Sequence, residues 1–327
     1  MQKINIYIII SLLSIAAFSI FSFSKNSNEV PGRSYQESYH TDYKIYNPPM
    51  PVKADFCNEN IPLNIYYINE KLEREILVNT YWHSNTLLLF KRANRWFPII
   101  DSILQINNIP SDFKYLSLIE SGLTQAVSPS GARGFWQIMK KTAIEYNLEV
   151  NKDIDERYNV EKATQAACDY IKDSYKLYNN WTLVAASYNM GMGGINKQLN
   201  LQKVDNYYDL SLNSETSRYV YRIIALKTIF ANPSKYGFQL RECDLYPVFK
   251  TKYVTIDSSF INWADFAKSN NISYGILKEL NPWLKTSTLT NKYHKKYNVK
   301  LPIEDMYLYQ GVKSKMSNKL GIYGEKK

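Results

Sequence analysis

The sequence predicts a mainly α-helical fold that ends in a small β-α-α-β module, and three observations lead there. Apolar residues recur at helical spacing through most of residues 63–230, with Gly, Pro and Asn breaks between the runs. Little alternation of period two occurs before residue 250. Residues 252–301 then change character, with two short strand-like runs bracketing two short helical ones. At 327 residues, 45% of them hydrophobic, the chain has enough apolar material for one larger domain and a smaller one.

In chain order, Lys3 and the uncharged, mostly apolar residues 6–23 give residues 1–24 the pattern of an export signal or, if retained, a signal anchor. No Cys stands directly after this segment, which argues against a lipid-modified N-terminus. Residues 25–62 are rich in Ser, Asn, Pro and Tyr without periodicity and read as a linker or extended arm. Helices are expected over residues 63–81 and 86–107, the latter with Leu89, Ala93, Trp96, Ile100 and Leu104 on one stripe. Asp112, after Ser111, sits at the start of a short helix that Gly122 stops. A loop over residues 124–134 precedes a helix over residues 135–147. Asn159 leads into a helix over residues 160–178, whose Ala163, Ala166, Ala167, Tyr170, Ile171 and Ser174 give a small-residue packing face. Residues 181–189 form another helix, ended by Gly191, Gly193 and Gly194, and Ser214 is a natural cap for a helix over residues 215–230. These elements make a helical domain over residues 63–240. The module, residues 248–304, has strands at 252–256 and 297–301, helices at 260–269 and 273–280, and a break at Asn281 and Pro282. Residues 305–327 are a polar, Lys-rich tail.

A net charge of +10 suits an anionic partner, but no basic run is interleaved with aromatics as in a nucleic-acid platform. Sugar-binding clefts use amphipathic rings, and the chain has 28 Tyr; a compositional bias of the source accounts for them equally well. Cys57, Cys168 and Cys243 are too few and scattered for a disulfide framework, though Cys57 and Cys243 could pair in an oxidising compartment; buried free thiols are the alternative. His40, His83 and His294 lie far apart without ligand spacing, so neither a metal nor another cofactor is implied.

Glu120 is the residue with the most chemical promise. It falls in the last turn of its short helix, where the negative end of the helix dipole and the apolar neighbours Leu116 and Ile119 both disfavour ionisation. A carboxyl kept protonated near neutral pH can act as a general acid. Taken alone, the same pattern also fits a solvent-facing glutamate at a frayed helix end.

Four segments give Glu120 a context. Glu120, Ser121 and Gly122 supply the acid; Gly131 to Gln137 join a flexible loop to a helix start; Ala185 to Gly191 place a phenol and an amide before a glycine; Glu215 to Val220 open the last helix. Their order and spacing resemble the lytic transglycosylases of goose-type-lysozyme-like (SLT) fold, especially the membrane-bound murein transglycosylase D group, over about residues 97–230. The tail is similar to a LysM peptidoglycan-binding repeat: Asn281 to Leu284 fit it, whereas Asp257 to Phe260 replace its usual Gly-Asp-Thr-Leu start.

The resemblance implies a lysozyme-like helical domain followed by a LysM-like module, exported to the periplasm or cell envelope. It implies an enzyme, a carbon-oxygen lyase that cleaves the β-1,4 bond between N-acetylmuramic acid and N-acetylglucosamine and leaves 1,6-anhydromuramic ends. Glu120 would be the single acid/base, protonating the bridging oxygen and then taking the muramic C6 hydroxyl proton. Ordinary glycosidases need two carboxylates about 5 to 9.5 Å apart, and a substrate that brings its own nucleophile removes the need for the second. Ser128, Gln137, Tyr188 and Asn189 match substrate-binding positions, with the Tyr188 hydroxyl expected at the acid, and Glu215 and Tyr219 match a supporting helix. Ser128 could equally be a turn hydroxyl and Glu215 a helix-start carboxylate. Asp153 and Asp155 match a bracing loop and are the remaining candidates for a second catalytic carboxylate. Phe135, Lys140, Ser187, Met190 and Met192 depart from the family pattern without removing a proton-transfer group. Peptidoglycan glycan strands are the expected partner, nucleic acid is not, a membrane anchor would come from the N-terminal segment, and a monomer is expected. A lysozyme-type hydrolase on this fold and a non-catalytic peptidoglycan-binding protein are the competing readings; Glu120 argues against the latter, because a pseudoenzyme usually loses the acid first.

Overall fold

The computed structural model describes residues 44–303, together with Glu37 and Met316. The expected export segment, most of the arm after it and the rest of the polar tail lie outside the described residues. Among the described residues no helix is long and apolar enough to cross a membrane.

Described residues from Pro48 onward belong to one compact unit. Its first part corrects the expectation of an arm reaching residue 62. Asp55–Phe56 (β1) and Glu59–Asn60 (β2) pair as a short antiparallel hairpin, and Phe56 is fully buried against Phe113 with ring centroids 5.2 Å apart. One aromatic ring with a place in the core outweighs the polar composition around it. The Cys57 N–H donates to Asp112 Oδ2 at 2.7 Å, and the Lys227 ammonium donates to the same oxygen at 2.7 Å, tying the hairpin to two helices. Cys57, Cys168 and Cys243 are free thiols, so the pairing considered for Cys57 and Cys243 does not form.

Among the described residues eight α-helices follow before the C-terminal module: Tyr66–Tyr81 (α1), His83–Ile106 (α2), Lys114–Ser121 (α3), Lys140–Glu145 (α4), Val160–Tyr178 (α5), Trp181–Met190 (α6), Met192–Gln202 (α7) and Thr216–Ala231 (α8). Helix α8 runs through the middle, packing on α1, α6 and α3. Tyr219, Val220, Tyr221, Ile223, Ile224, Ile229 and Phe230 are all buried, as a helix enclosed by others requires. Phe230 stacks on Phe90 of α2 at 4.0 Å. The small-residue face of α5 is buried except for the half-buried Tyr170, and its Ser174 Oγ lies 2.7 Å from Ser187 Oγ of α6, so two buried hydroxyls satisfy each other.

Three expectations for this domain are corrected. The helix over residues 135–147 is only α4, because Arg133 and Ile138 exchange backbone hydrogen bonds of 3.2 and 3.1 Å and close a turn between them. Gly134 and Gln137 take positive φ in that turn, and Trp136 at its tip is buried with its indole N–H on Thr164 Oγ1 at 2.9 Å. Burying the indole outweighs helix propensity. Helix α7 was not expected, since Gly193 and Gly194 read as breakers; Gly191, at φ +82°, alone separates α6 from α7. Ser214 does not cap α8: the Thr216 N–H donates to Asn213 Oδ1 at 2.9 Å instead.

In the C-terminal module Thr251–Ile256 (β3) pairs antiparallel with Tyr297–Pro302 (β6), Val254 opposite Val299. Helices Trp263–Ser269 (α9) and Tyr274–Leu280 (α10) lie between them in sequence. The helix expected over residues 260–269 loses its first turn, because Phe260–Asn262 (β4) pairs with Thr288–Thr290 (β5) and Asn262 caps α9, accepting from Ala264 N–H at 2.9 Å. The break at Asn281 is a lock. Its amide donates to the Leu277 and Lys300 carbonyls and accepts from Lys300 N–H, joining α10 to β6.

The module's core is not its own alone. Ile154, from the loop between α4 and α5, is fully buried in a cluster with Trp263, Leu277, Trp283 and Leu284. Asp155 N–H donates to Trp283 O and Lys285 N–H to Asp153 O, both at 2.9 Å, so backbone bonds flank the plug. Ile154→Ala is expected to lower the unfolding free energy by about 2–5 kcal/mol, as for other core isoleucine truncations, seen as an earlier midpoint in chemical denaturation of the full chain.

Candidate active site

Helix α3 places the acid. Gly122, left-handed at φ +59°, closes the helix with its N–H on Leu118 O, so Glu120 occupies the last turn as expected. Leu116, Leu118 and Ile119 are buried, which leaves Glu120 on the side that opens into a groove of about 710 Å³. Helices α1, α2 and α3 and the start of α8 form its walls.

The Tyr219 hydroxyl donates to Glu120 Oε1, and Arg222 Nη2 donates to Ile119 O at 3.0 Å beside it. Burial pushes the Glu120 carboxyl up to about 7; the Tyr219 hydrogen bond and the Arg222 charge pull it down, while the Glu215 charge raises it further. The proton therefore stays on Glu120 to near neutral pH. Because the Tyr219 hydrogen bond favours the ionised form, its removal favours the acid. Tyr219→Phe is expected to move the titration midpoint of Glu120 above about 7, measured by carbon NMR of the labelled carboxyl.

The other expected residues divide. Tyr188 does not direct its hydroxyl to the acid: it donates to Trp136 O at 2.8 Å, and the tyrosine on Glu120 is Tyr219 of α8. Tyr188 still feels the acid, since burial first and the Glu120 charge second hold its phenol well above the usual range. Asn189 bridges. Its Nδ2 donates to Glu215 Oε1 at 3.1 Å and its Oδ1 accepts from Thr216 Oγ1 at 2.7 Å. Gln137, Tyr188 and Asn189 line a second pocket of about 250 Å³, whereas Glu120 and Glu215 line the first, so the Asn189–Glu215 bond spans the rim between them. Gln137 Nε2 donates to the Ala126 and Gly134 carbonyls at 3.1 and 2.8 Å and holds its own turn. Ser128 has the turn role: its Oγ accepts from Ala132 N–H at 3.0 Å, and neither pocket includes it.

Asp155 is buried under Arg157, with bonds of 2.9 and 2.8 Å, and Asp153 accepts from Thr286 of the module at 3.1 Å. Both brace structure outside the groove. The carboxylate that sequence reasoning missed is Glu75, on the groove wall, buried and held by Arg218 Nε at 2.7 Å and Arg74 Nη1 at 2.6 Å. On α1 it stands among Glu70, Glu73 and Arg74 and is indistinguishable by pattern from a solvated charge. Arg92, Arg218 and Arg222 also line the groove and were not singled out. Among the described residues no group of His, Cys, Asp or Glu is arranged to hold a metal.

Residues 98–210 match the family model described as transglycosylase SLT domain, and residues 252–305 match the soluble lytic transglycosylase C-terminal LysM-like domain. The chain carries an SLT domain and a LysM-like domain. The SLT match contains Glu120, Gln137, Tyr188 and Asn189 and stops short of α8, which supplies Tyr219 and Arg222. Membrane-bound lytic murein transglycosylase D of Escherichia coli strain K12, and that of Escherichia coli O6:H1, are each 29% identical to the chain over 228 residues. The match covers 68% of this chain and 49% of those relatives, so the chain spans about half their length. Among solved structures, the 70 kDa soluble lytic transglycosylase of Escherichia coli matches 42% of this chain and 23% of its own, at 20% identity and a TM-score of 0.35. The lytic transglycosylase Slt of Pseudomonas aeruginosa matches 42% and 24%, at 18% identity and the same TM-score.

Proposed function

We propose that the chain is a peptidoglycan lytic transglycosylase in which Glu120 is both acid and base. The observation that carries this reading is a carboxyl held by the Tyr219 hydroxyl and facing a groove of about 710 Å³, where burial pushes it up to about 7. Protonated, Glu120 gives its proton to the oxygen between N-acetylmuramic acid and N-acetylglucosamine; ionised, it takes the proton of the muramic C6 hydroxyl as that oxygen closes on C1. Tyr219 favours the ionised state between the two steps, since its hydroxyl already donates to Glu120. The other carboxylates of the groove are engaged, Glu75 by two arginines and Glu215 by Asn189, which supports attack by the substrate's own hydroxyl over a protein nucleophile. The 1,6-anhydro product follows from that assignment, and the exported location expected from residues 1–24 agrees with the substrate.

Mass spectrometry of fragments released from purified sacculi tests it. Anhydromuramic ends, lighter than hydrolysed ends by one water, are expected. Reducing muramic ends would make the protein a hydrolase of lysozyme type, and binding without soluble fragments would make it a binding protein.

A further inference from the structure

Between the SLT and LysM-like domains lies a third cavity, of about 270 Å³, with α2 and the segment after α3 on one side and the end of α10 on the other. Arg92 and Thr124 line both this cavity and the groove of Glu120, so the two spaces meet at Arg92. The volume is slightly below the roughly 300 Å³ at which small-molecule sites begin. Trp96, Phe135, Pro282 and Trp283 supply apolar walls.

Arg92 and Gln125 have capacity left over there, and across the cavity Glu279 of α10 adds a carboxylate that a ligand's own carboxylate must keep clear of. Arg92 spends one donor on Gly122 O at 3.2 Å and pairs with no carboxylate among the described residues. Gln125 donates its Nε2 to Tyr158 O at 3.0 Å, while its Oε1 is buried without a partner. The other basic groups are occupied: Lys300 pairs with Glu161, and Arg95 donates to Pro247 O at 3.0 Å with its guanidinium 4.1 Å from the Phe249 ring. What remains is a guanidinium fork that wants a carboxylate and a buried acceptor that wants an N–H, because an unmet buried polar atom costs about 1–3 kcal/mol.

We propose that this interdomain cavity binds a carboxylate-bearing peptide, its carboxylate on Arg92 and a peptide N–H on Gln125 Oε1. Naming that peptide as the stem of the glycan strand rests on the transglycosylase reading. A strand lying in the Glu120 groove carries its stem peptides outward from the muramic units, and Arg92 stands where the groove opens into the cavity. The first stem residues offer both groups, amide N–H and free α-carboxylate.

The test uses the full chain and a glycan-free probe, N-acetyl-L-alanyl-D-glutamate with its γ-carboxyl capped as a methylamide, in isothermal titration calorimetry, against the same compound with its α-carboxylate also amidated. The acid form is expected to bind at least tenfold more tightly than the amide. Arg92→Gln is expected to abolish that difference, and Gln125→Leu to weaken both probes by a similar factor. Since Arg92 also holds Gly122, Arg92→Lys and the amidated probe keep the test independent of misfolding: lysine retains part of the preference and the probe leaves the protein unchanged. Equal binding of acid and amide, or no binding of either, overturns the site. Glu120→Gln is expected to bind the acid form as the wild type does, so a failure of catalysis and a failure of this site give different results.

Discussion

Replacing Glu120 with glutamine is expected to cut the release of soluble fragments from purified sacculi by about 10² to 10⁴-fold, the usual contribution of a positioned general acid. Glutamine preserves the shape and still accepts from the Tyr219 hydroxyl, so folding is unaffected and the loss is chemical. It has no proton to give the leaving oxygen. On the proposed mechanism the same carboxyl sets the pH dependence. Its value of about 7 means the acid form required for the first step is lost as pH rises through neutrality, and wild-type activity is expected to fall on the alkaline side of about pH 7. A variant that releases fragments at the wild-type rate would remove Glu120 from the chemistry.

The second large effect is one of stability and lies outside the groove. Asp155→Ala is expected to destabilise the chain by about 3–5 kcal/mol, because it leaves Arg157 buried without its counter-charge. Arg157 also donates from Nη1 to the Gly131 and Ile138 carbonyls at 3.1 and 3.2 Å, the two ends of the segment that carries Trp136 and Gln137. The turn has no room to adjust: a Cβ on Gly134 would sit 2.0 Å from Arg157 O. Denaturation curves for wild type and variant measure the change, and a shift below about 1 kcal/mol would mean that the pair is replaceable by water.

Legibility from sequence followed the range of the forces involved. Helix α3 and the position of Glu120 were readable because their stop signal, Gly122, is local, and α5 was readable from Asn159, whose side chain accepts from Lys162 N–H at 3.1 Å. Residues 135–138 read as helix in the sequence because only the tertiary burial of Trp136 sets their turn apart. Motif spacing points to Gln137, Asn189 and Glu215, yet which tyrosine reaches Glu120 depends on the rotation of α8 against α3 and has no local signature. Glu75 shows the same limit from the other side: a carboxylate in a charged helical run becomes a buried groove residue only when Arg218 arrives from 143 positions away.

The Ile154 plug changes what the C-terminal module can be. A carbohydrate-binding module on a slack tether raises the local concentration of its ligand and tolerates any spacing its linker can span. Here the module's core contains a side chain that the SLT domain lends it, flanked by two backbone hydrogen bonds, so the joint behaves as a press-fit and not as a hinge. The distance from module to acid is then a fixed length. The cavity of about 270 Å³ lined by Arg92 lies within that rigid joint, so its two walls keep one spacing.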